Sequence, residues 1–177
     1  REVWLVHHYD GRVIEELRPL APDNPPGFSF SVLDQPPSSP KQRCELHTGI
    51  ARWLADWSPH WKAGAMLTID YGDTFPAPYH RRPNGTLRAY LLHQRLEGAD
   101  VYANAGRQDI TCDINFTDVQ RWSGQLGMSG LHLETQSAFI RRHVPSAEAT
   151  AGAADRFVLD EAGAGGAFKC LTALMRR

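Results

Sequence analysis

The sequence predicts a mixed α/β domain in which helices cover a β-sheet. A helical apolar pattern over residues 44–57 is followed by a short apolar strand over 65–70, which we expect to be buried and to stop on Asp70. This order is one half of an α/β crossover. Strand-like and helix-like segments also alternate along the rest of the chain. The length of 177 residues, with 42% hydrophobic and 22% charged residues, is typical of a single globular domain with a core.

The chain opens with a predicted antiparallel ribbon. Two apolar runs, 2–9 and 12–18, flank Asp10-Gly11, and Asp-Gly between such runs indicates a hairpin. The next segment, 19–42, holds seven of the twelve prolines. Proline fixes φ and lacks an N–H donor, so this composition predicts a long loop or linker.

The later elements alternate between strands and helices, and polar loops join them. Thr117 and Ser146 are expected to cap the two helices through their hydroxyls. We predict strands over 85–92, 109–114, 131–135 and 167–175, and helices over 118–126 and 147–159.

Composition excludes several function classes. The net charge is −1, which provides no general attraction to nucleic acid or to a membrane surface. No apolar run approaches the roughly 20 residues that a membrane span needs. The three cysteines are few and far apart, so we expect reduced thiols, and no histidine or carboxylate spacing predicts a metal site.

Two motif-like stretches have ordinary interpretations. "EAGAGGAF", 161–168, follows a helix and precedes a strand, whereas a phosphate loop follows a strand and opens a helix, so we expect a connecting loop. "NPPG", 24–27, resembles the Asn-Pro-Pro-aromatic motif of amino-group methyltransferases. Gly27 stands where that motif has its aromatic ring, and a proline loop is therefore expected.

A basic and aromatic cluster spans residues 79–95. It leaves two interpretations open: a solvated charged loop, or the rim of a pocket for an anionic or polar partner. Its members are Tyr79, His80, Arg81, Arg82, Arg88, Tyr90, His93 and Arg95.

The triplet Asp70-Tyr71-Gly72 follows the apolar strand directly. Ligands of α/β sheets bind outside the carboxyl ends of strands, which favours a site residue at this place. Asp and Gly also end strands in plain turns, so position alone leaves both interpretations open.

Several stretches together resemble the MidA-like family of S-adenosylmethionine-dependent methyltransferases. They are "IDYG" at 69–72, "YHRRPNGTLRAYLLHQ" at 79–94, "GRQDITCDINF" at 106–116, "GLHLETQSAFI" at 130–140 and the closing "GGAFKCLTAL". The family pattern runs D-Y-G, Y-H-x-x-R-x-x-G-T-L, a histidine, G-x-x-D-I-T and a late Q-x-x-F.

The resemblance implies a Rossmann-like class I methyltransferase fold, of which residues 1–177 would be the C-terminal, substrate-side part with an added ribbon and long loops. The family's acidic residue with its Gly-rich turn, its second-strand acid and its Asn-Glu pair have no counterpart here. The cofactor-binding residues are therefore expected in an N-terminal half that the sequence lacks, with S-adenosylmethionine as the cofactor.

The resemblance also implies a substrate and a location. Mitochondrial members of the family methylate an arginine of a respiratory complex I subunit during assembly. We therefore expect protein arginine methylation, a protein partner that could be such a subunit, and the cytoplasm of a bacterium or the mitochondrion of a eukaryote as the location.

Site residues carried over from the family are assigned by chemistry. Carboxylates match a planar guanidinium, aromatic rings can cover its face, and a histidine can accept the released proton. The predicted catalytic residues are Asp70, Tyr71, His80 and His93, and the predicted substrate-binding residues are Glu45, Tyr79, Arg88, Asp109 and Thr111.

Three alternatives stay open at this stage. Asp109 to Thr111 could be structural, with the Thr111 hydroxyl bonded to Asp70 or to a backbone group. The chain could be a non-catalytic assembly module that docks through its proline-rich segment and basic loop. A nucleic-acid methyltransferase would draw on "NPPG" and the Arg/Tyr cluster, but the near-neutral charge disfavours a nucleic-acid partner.

Overall fold

The computed structural model describes residues 1–20, 27–35 and 41–176, and these residues confirm the mixed α/β class. The strands are β1 (Glu2–His7), β2 (Val13–Arg18), β3 (Ala63–Asp73), β4 (Arg88–Leu91), β5 (Gln94–Leu96), β6 (Asp109–Thr111), β7 (Ile114–Asn115), β8 (Ser129–Thr135) and β9 (Phe168–Arg176). The α-helices are α1 (Ser31–Asp34), α2 (Thr48–Trp57), α3 (Phe116–Gln125), α4 (Gln136–His143), α5 (Ala147–Thr150), α6 (Ala153–Leu159) and α7 (Ala164–Ala167).

The main sheet has the strand order β7-β3-β9-β8. β3 runs antiparallel to β9 along most of its length, and it runs parallel to β7 only at Gly72 and Asp73. β8 continues the sheet antiparallel to β9. The sheet is therefore mixed, and it places the carboxyl end of β3 beside the start of β9.

Helices α2 and α3 contribute the core against one face of this sheet. Trp122 and Phe116 of α3 and Leu54 of α2 are almost fully buried, and they share one cluster with Leu171 and Met175 of β9. Burying each such side chain contributes about 1.5–3 kcal/mol. The predicted helix over 44–57 is confirmed only from Thr48 onward. Residues 44–47 precede the helix, and the Glu45 carboxylate among them accepts the N–H of Thr86.

The proline-rich segment is not a linker where it is described. Phe30 and Val32 are buried in the core, and the rings of Phe28 and Phe30 pack edge-to-face on Trp122 at 5.9 and 5.2 Å. The backbone N–H of Ser31 donates to the Asp118 carboxylate at 2.7 Å. Phe28 and Phe30 thus hold this segment against α3. Residues 21–26, which include most of "NPPG", lie outside the described residues, as do residues 36–40.

The prediction for the apolar strand was wrong in two respects. β3 continues to Asp73, so Asp70 lies within the strand rather than after it. The strand is also only half buried: Met66 packs against the core, whereas Leu67 and Ile69 are 45% and 46% exposed. Side chains alternate between faces along a strand, and only one face of β3 meets α3.

Several other boundaries differ from the predictions. The strand predicted over 109–114 divides into β6 and β7, which belong to different sheets. The helix predicted over 147–159 divides into α5 and α6, and the sequence did not predict α4. Thr117 does not cap α3, because its hydroxyl accepts the N–H of Phe75 instead.

Two smaller sheets complete the architecture. β1 and β2 form the predicted ribbon, which is confirmed, and the Arg43 guanidinium holds it through two bonds of 2.9 and 2.7 Å to the Glu15 carboxylate. The second small sheet has three strands in the order β5-β4-β6. Its hairpin turns at Leu92 and His93, both in the left-handed region with φ of 48° and 65°.

Gly72 is required where β3 meets β7. Its φ is +149°, and a Cβ there would lie 2.1 Å from the carbonyl oxygen of Ile114. We expect Gly72→Ala to break this pairing and to cost roughly 2 kcal/mol or more of unfolding free energy, measured by urea denaturation. The control is Gly49→Ala in α2, where a Cβ meets nothing within 4 Å, and we expect it to leave stability equal or slightly higher. Equal effects of the two substitutions would contradict this account.

Candidate acceptor site

A pocket of about 440 Å³ opens at the carboxyl end of β3. Its walls come from the end of β3, the loop that follows it, the small sheet and the start of β9. The lining residues are Tyr71, Gly72, Asp73, Ala77, Pro78, His80, Arg82, Arg88, Tyr90, Arg95, Asp113, Ala167 and Lys169.

Asp113 organises one wall of this pocket. Its carboxylate accepts a hydrogen bond of 2.7 Å from Nη1 of Arg88 and another from Nη1 of Arg82. Arg88 also donates to the carbonyl oxygen of Thr86 at 3.0 Å and to the hydroxyl of Tyr90 at 3.3 Å. Two guanidinium groups therefore share one buried carboxylate.

Arg88 is buried and stays charged. Burial alone would lower its pKa, but hydrogen bonds and charge interactions with Asp113 and Tyr90 outweigh that effect and raise the pKa above its ordinary value. Its guanidinium lies 5.2 Å from the centre of the Tyr71 ring, which is a cation–π distance. The Tyr71 ring therefore contacts a guanidinium of the protein itself, and its predicted contact with a substrate guanidinium stays an untested prediction.

The start of β9 supplies a second ion pair of the pocket, between Lys169 and Asp73. Lys169 is largely buried, with Nζ at 2.6 Å from the carbonyl oxygen of Gly166 and at 3.5 Å from the Asp73 carboxylate. Phe168 stacks on Tyr71 with ring centroids 3.9 Å apart. The pairing of β3 with β9 is therefore what brings Lys169 to the pocket.

Glu45 has a structural position. Its carboxylate accepts the N–H groups of Thr86 and Leu87 at 2.7 and 3.1 Å and the Thr86 hydroxyl at 3.1 Å. Gly85 has φ +82°, and a Cβ there would lie 2.4 Å from a Glu45 oxygen. The Gly-Thr-Leu turn thus encloses this carboxylate, and substrate binding by Glu45 stays an untested prediction.

Tyr79 holds the backbone of the same residue. Its hydroxyl accepts the Glu45 N–H at 3.2 Å and donates to the Glu45 carbonyl oxygen at 3.4 Å. Burial raises the pKa of the Tyr79 phenol, so it stays protonated at neutral pH. Tyr79 does not line the pocket, and its role as a cover for a guanidinium stays a prediction.

Asp70 lies beside the pocket-lining Tyr71, on the strand that forms the pocket's floor, but is not itself a lining residue. One carboxylate oxygen accepts the N–H of Tyr71 at 2.8 Å, and no basic side chain of the described residues forms an ion pair with it. Its negative charge acts to raise the pKa of the His47 imidazole and of the Cys112 thiol, on which burial has the larger effect.

His47 has a structural position. Its Nε2 accepts the N–H of Asn115 at 3.3 Å. Burial lowers the pKa of its imidazole, and the nearby carboxylates, Glu45 first, only partly offset this shift. The imidazole is therefore neutral at pH 7, which agrees with its role as an acceptor.

The remaining predicted residues are not brought together. His80 is exposed and lines the pocket, whereas His93 is exposed in the β4–β5 turn and does not. Asp109 and Thr111 lie on β6, pair with Tyr90 and Arg88 on β4, and do not line the pocket. A hydrogen bond from the Thr111 hydroxyl to Asp70 was one of the two structural alternatives for Thr111. The described residues do not form this bond.

Three charged residues that line the pocket were not predicted from the sequence: Asp73, Asp113 and Lys169. Lys169 had a usable signal, because it is a single charge near the start of an apolar strand. Asp73 and Asp113 had none, since polar residues next to strand ends are common in turns.

Other chemistry finds little support in the described part of the chain. Burial raises the pKa of the Cys112 thiol to about 11, so it is not a thiolate at neutral pH. No group of three or more histidine, cysteine or acidic side chains is arranged there to hold a metal ion. No described helix has the length and apolar character that a bilayer span requires.

Comparison with known proteins places the chain in a family. A family model described as "Putative S-adenosyl-L-methionine-dependent methyltransferase" matches residues 3–133, well over half of the sequence. The chain belongs to this family. No functionally curated protein matches the sequence.

Two solved structures show the fold of this methyltransferase family. One is from Burkholderia thailandensis, is described as a "likely methyl transferase" and was solved bound to S-adenosyl-homocysteine; it has a TM-score of 0.72 at 20% identity. The second, from the same superfamily and organism, is described as uncharacterized and has a TM-score of 0.66 at 18% identity. The matches cover 97% of this chain but only 46% and 48% of the solved chains. The chain thus spans about half the length of these neighbours.

A structural role for Glu45 can be separated from a substrate-binding role. We expect Glu45→Ala to lower the unfolding free energy by about 2–4 kcal/mol, because it leaves several partly buried donors without an acceptor. Glu45→Gln, which keeps one carbonyl oxygen for the backbone donors, should cost clearly less. Urea denaturation of both variants measures the difference. Unchanged stability in Glu45→Ala would contradict the structural role.

Proposed function

We propose that this chain is the acceptor-binding part of an S-adenosylmethionine-dependent methyltransferase and that the acceptor is an arginine side chain of a protein. Family membership and the shared fold support the reaction class. The Asp70 carboxylate forms no ion pair among the described residues, and it supports an arginine as the acceptor. A respiratory complex I subunit as the substrate rests on the sequence resemblance alone.

Asp70 is the observation that carries the acceptor proposal. Arg82 and Arg88 occupy Asp113, and Lys169 lies beside Asp73, whereas Asp70 has no cationic partner among the described residues. A half-buried carboxylate attracts a guanidinium strongly, because little water screens the pair. Asp70 would fix the plane of the acceptor and localise its charge on the nitrogen that is not methylated.

We propose that the cofactor is held mainly by residues outside the described part of this chain. S-adenosylmethionine, when bound, supplies a methyl group on a sulfonium cation, and four basic side chains of the pocket would repel that charge. The glycine-rich run 161–168, expected as a loop, contains the four-residue helix α7 and leads directly into β9. It does not connect a strand to a long helix, so it does not match a nucleotide loop. The residues of this chain therefore act on the acceptor only.

We further propose that a segment beyond these 177 residues completes the cofactor site. The edge of β3 that faces β7 is paired only at Gly72 and Asp73 among the described residues, which leaves backbone groups along the rest of that edge. Leu67 and Ile69 are exposed beside that edge. An additional strand would form hydrogen bonds with the backbone N–H and C=O groups of this edge, and a covering helix would bury these side chains.

Asp70→Asn tests the acceptor role in an enzyme that carries its cofactor-binding segment. We expect turnover to fall at least tenfold while affinity for S-adenosylmethionine changes little, because the substitution removes the charge that orients the acceptor. The matched control is Asp56→Asn on the exposed side of α2, which should keep full turnover. Wild-type turnover in Asp70→Asn would remove Asp70 from the mechanism.

Calorimetric titration of S-adenosylmethionine into the 177-residue chain tests the division of the site. We expect no submicromolar binding, because the proposed division assigns most of the cofactor contacts to a segment outside this chain. Submicromolar affinity would contradict the proposed division. It would also count against the alternative of a binding module without catalysis, because that alternative likewise expects no tight binding of S-adenosylmethionine to this chain.

A further inference from the structure

The pocket at the end of β3 contains an excess of positive charge. Four of its lining side chains are cationic, namely Arg82, Arg88, Arg95 and Lys169, and two are carboxylates, Asp73 and Asp113. Glu97, just outside the lining, compensates Arg95 with a contact of 2.6 Å on the exposed side. The inner part keeps three cations against two carboxylates.

Arg88 has donors that the protein does not use. Its side chain is 8% exposed, and its Nε and Nη1 atoms are bonded to Tyr90, Thr86 and Asp113. Its Nη2 group donates to no other described residue. Nη2 is not among the buried polar atoms without a partner in the described residues, so its two N–H groups are open to solvent. This guanidinium lines the pocket, where a ligand or water can accept those N–H groups.

A second cation lies on another element of the same pocket. Lys169 is held by the carbonyl oxygen of Gly166 at 2.6 Å and is only 14% exposed. Arg88 belongs to the small sheet and Lys169 to the main sheet, so the pocket lies between the two. An anionic group that entered it would contact rigid donors from both sides.

We propose that this pocket binds an anionic group, a carboxylate or a phosphate, of the methyl acceptor. Both groups are oxyanions that match guanidinium and ammonium donors. The pocket volume of about 440 Å³ exceeds such a group alone, so the ligand carries it on a larger body that Tyr71 and Tyr90 contact. In a protein acceptor, the group is an acidic or phosphorylated residue near the methylated side chain.

The attribution to the acceptor rests on the proposed function, but the anion site itself does not. Binding of an anion is measurable on the 177-residue chain without any methyl transfer. A negative result with Asp70→Asn would therefore leave this site intact, and a missing anion site would leave the reaction class intact.

Inorganic phosphate is the probe, titrated at constant ionic strength and followed by amide and arginine side-chain chemical shifts. We expect saturable binding whose dissociation constant rises at least fivefold in Lys169→Gln and in Arg82→Gln. The matched control is Arg107→Gln, which removes the same charge from an exposed position outside the pocket and should leave the constant unchanged. Thermal unfolding of each variant verifies that it is folded.

The opposite results overturn the proposal. Phosphate binding that is absent, or equally weakened in Arg107→Gln, would show that the pocket is not an anion site. In an enzyme with its cofactor segment, phosphate should bind equally well with and without S-adenosyl-homocysteine. Competition by S-adenosyl-homocysteine, but not by 5′-methylthioadenosine, which lacks the carboxylate, would assign the site to the cofactor and overturn the attribution to the acceptor.

Discussion

The hydrogen bonds around the Glu45 carboxylate are the interaction on which the site depends. They hold the turn of Gly85, Thr86 and Leu87 against the segment that leads into α2. The Thr86 hydroxyl then accepts the N–H of Asp113 at 2.9 Å, and Asp113 orients Arg82 and Arg88. One carboxylate therefore fixes the loop that positions the charged wall of the pocket, with the Tyr79 hydroxyl holding the backbone of Glu45.

The division of charge across β3 gives the site its chemical character. Asp70 forms no ion pair among the described residues, and, after burial, its charge is one of the influences on the pKa of His47 and of Cys112. The next residue, Tyr71, lines a pocket that is rich in arginine. Successive side chains of a strand point to opposite faces, so one strand can present a carboxylate to one group and an aromatic ring to another. An acceptor segment with both a cationic and an anionic side chain matches this arrangement.

Much of the fold could be predicted from the sequence, because local patterns dominate in those elements. The ribbon around Asp10-Gly11 and the closing strand β9 follow from alternation and turn chemistry. Strand β3 was predicted as buried throughout because an apolar run does not reveal which of its faces is covered. The proline-rich segment was predicted as a long loop or a linker from its prolines, and this composition does not reveal that its two phenylalanines pack on Trp122.

The sequence by itself determined the α/β class, the family resemblance and the cluster from which His80, Arg82, Arg88, Tyr90 and Arg95 line the pocket. Tertiary structure decided the hydrogen-bond partners. The Tyr79 hydroxyl bonds to the Glu45 backbone, the Glu45 carboxylate accepts the Thr86 N–H, and His93 lies in an exposed turn. Tertiary structure also decided that Asp113 and Lys169 belong to the pocket. The reason is physical, since a residue's chemistry is local but its hydrogen-bond partners come from strands that are distant in the sequence.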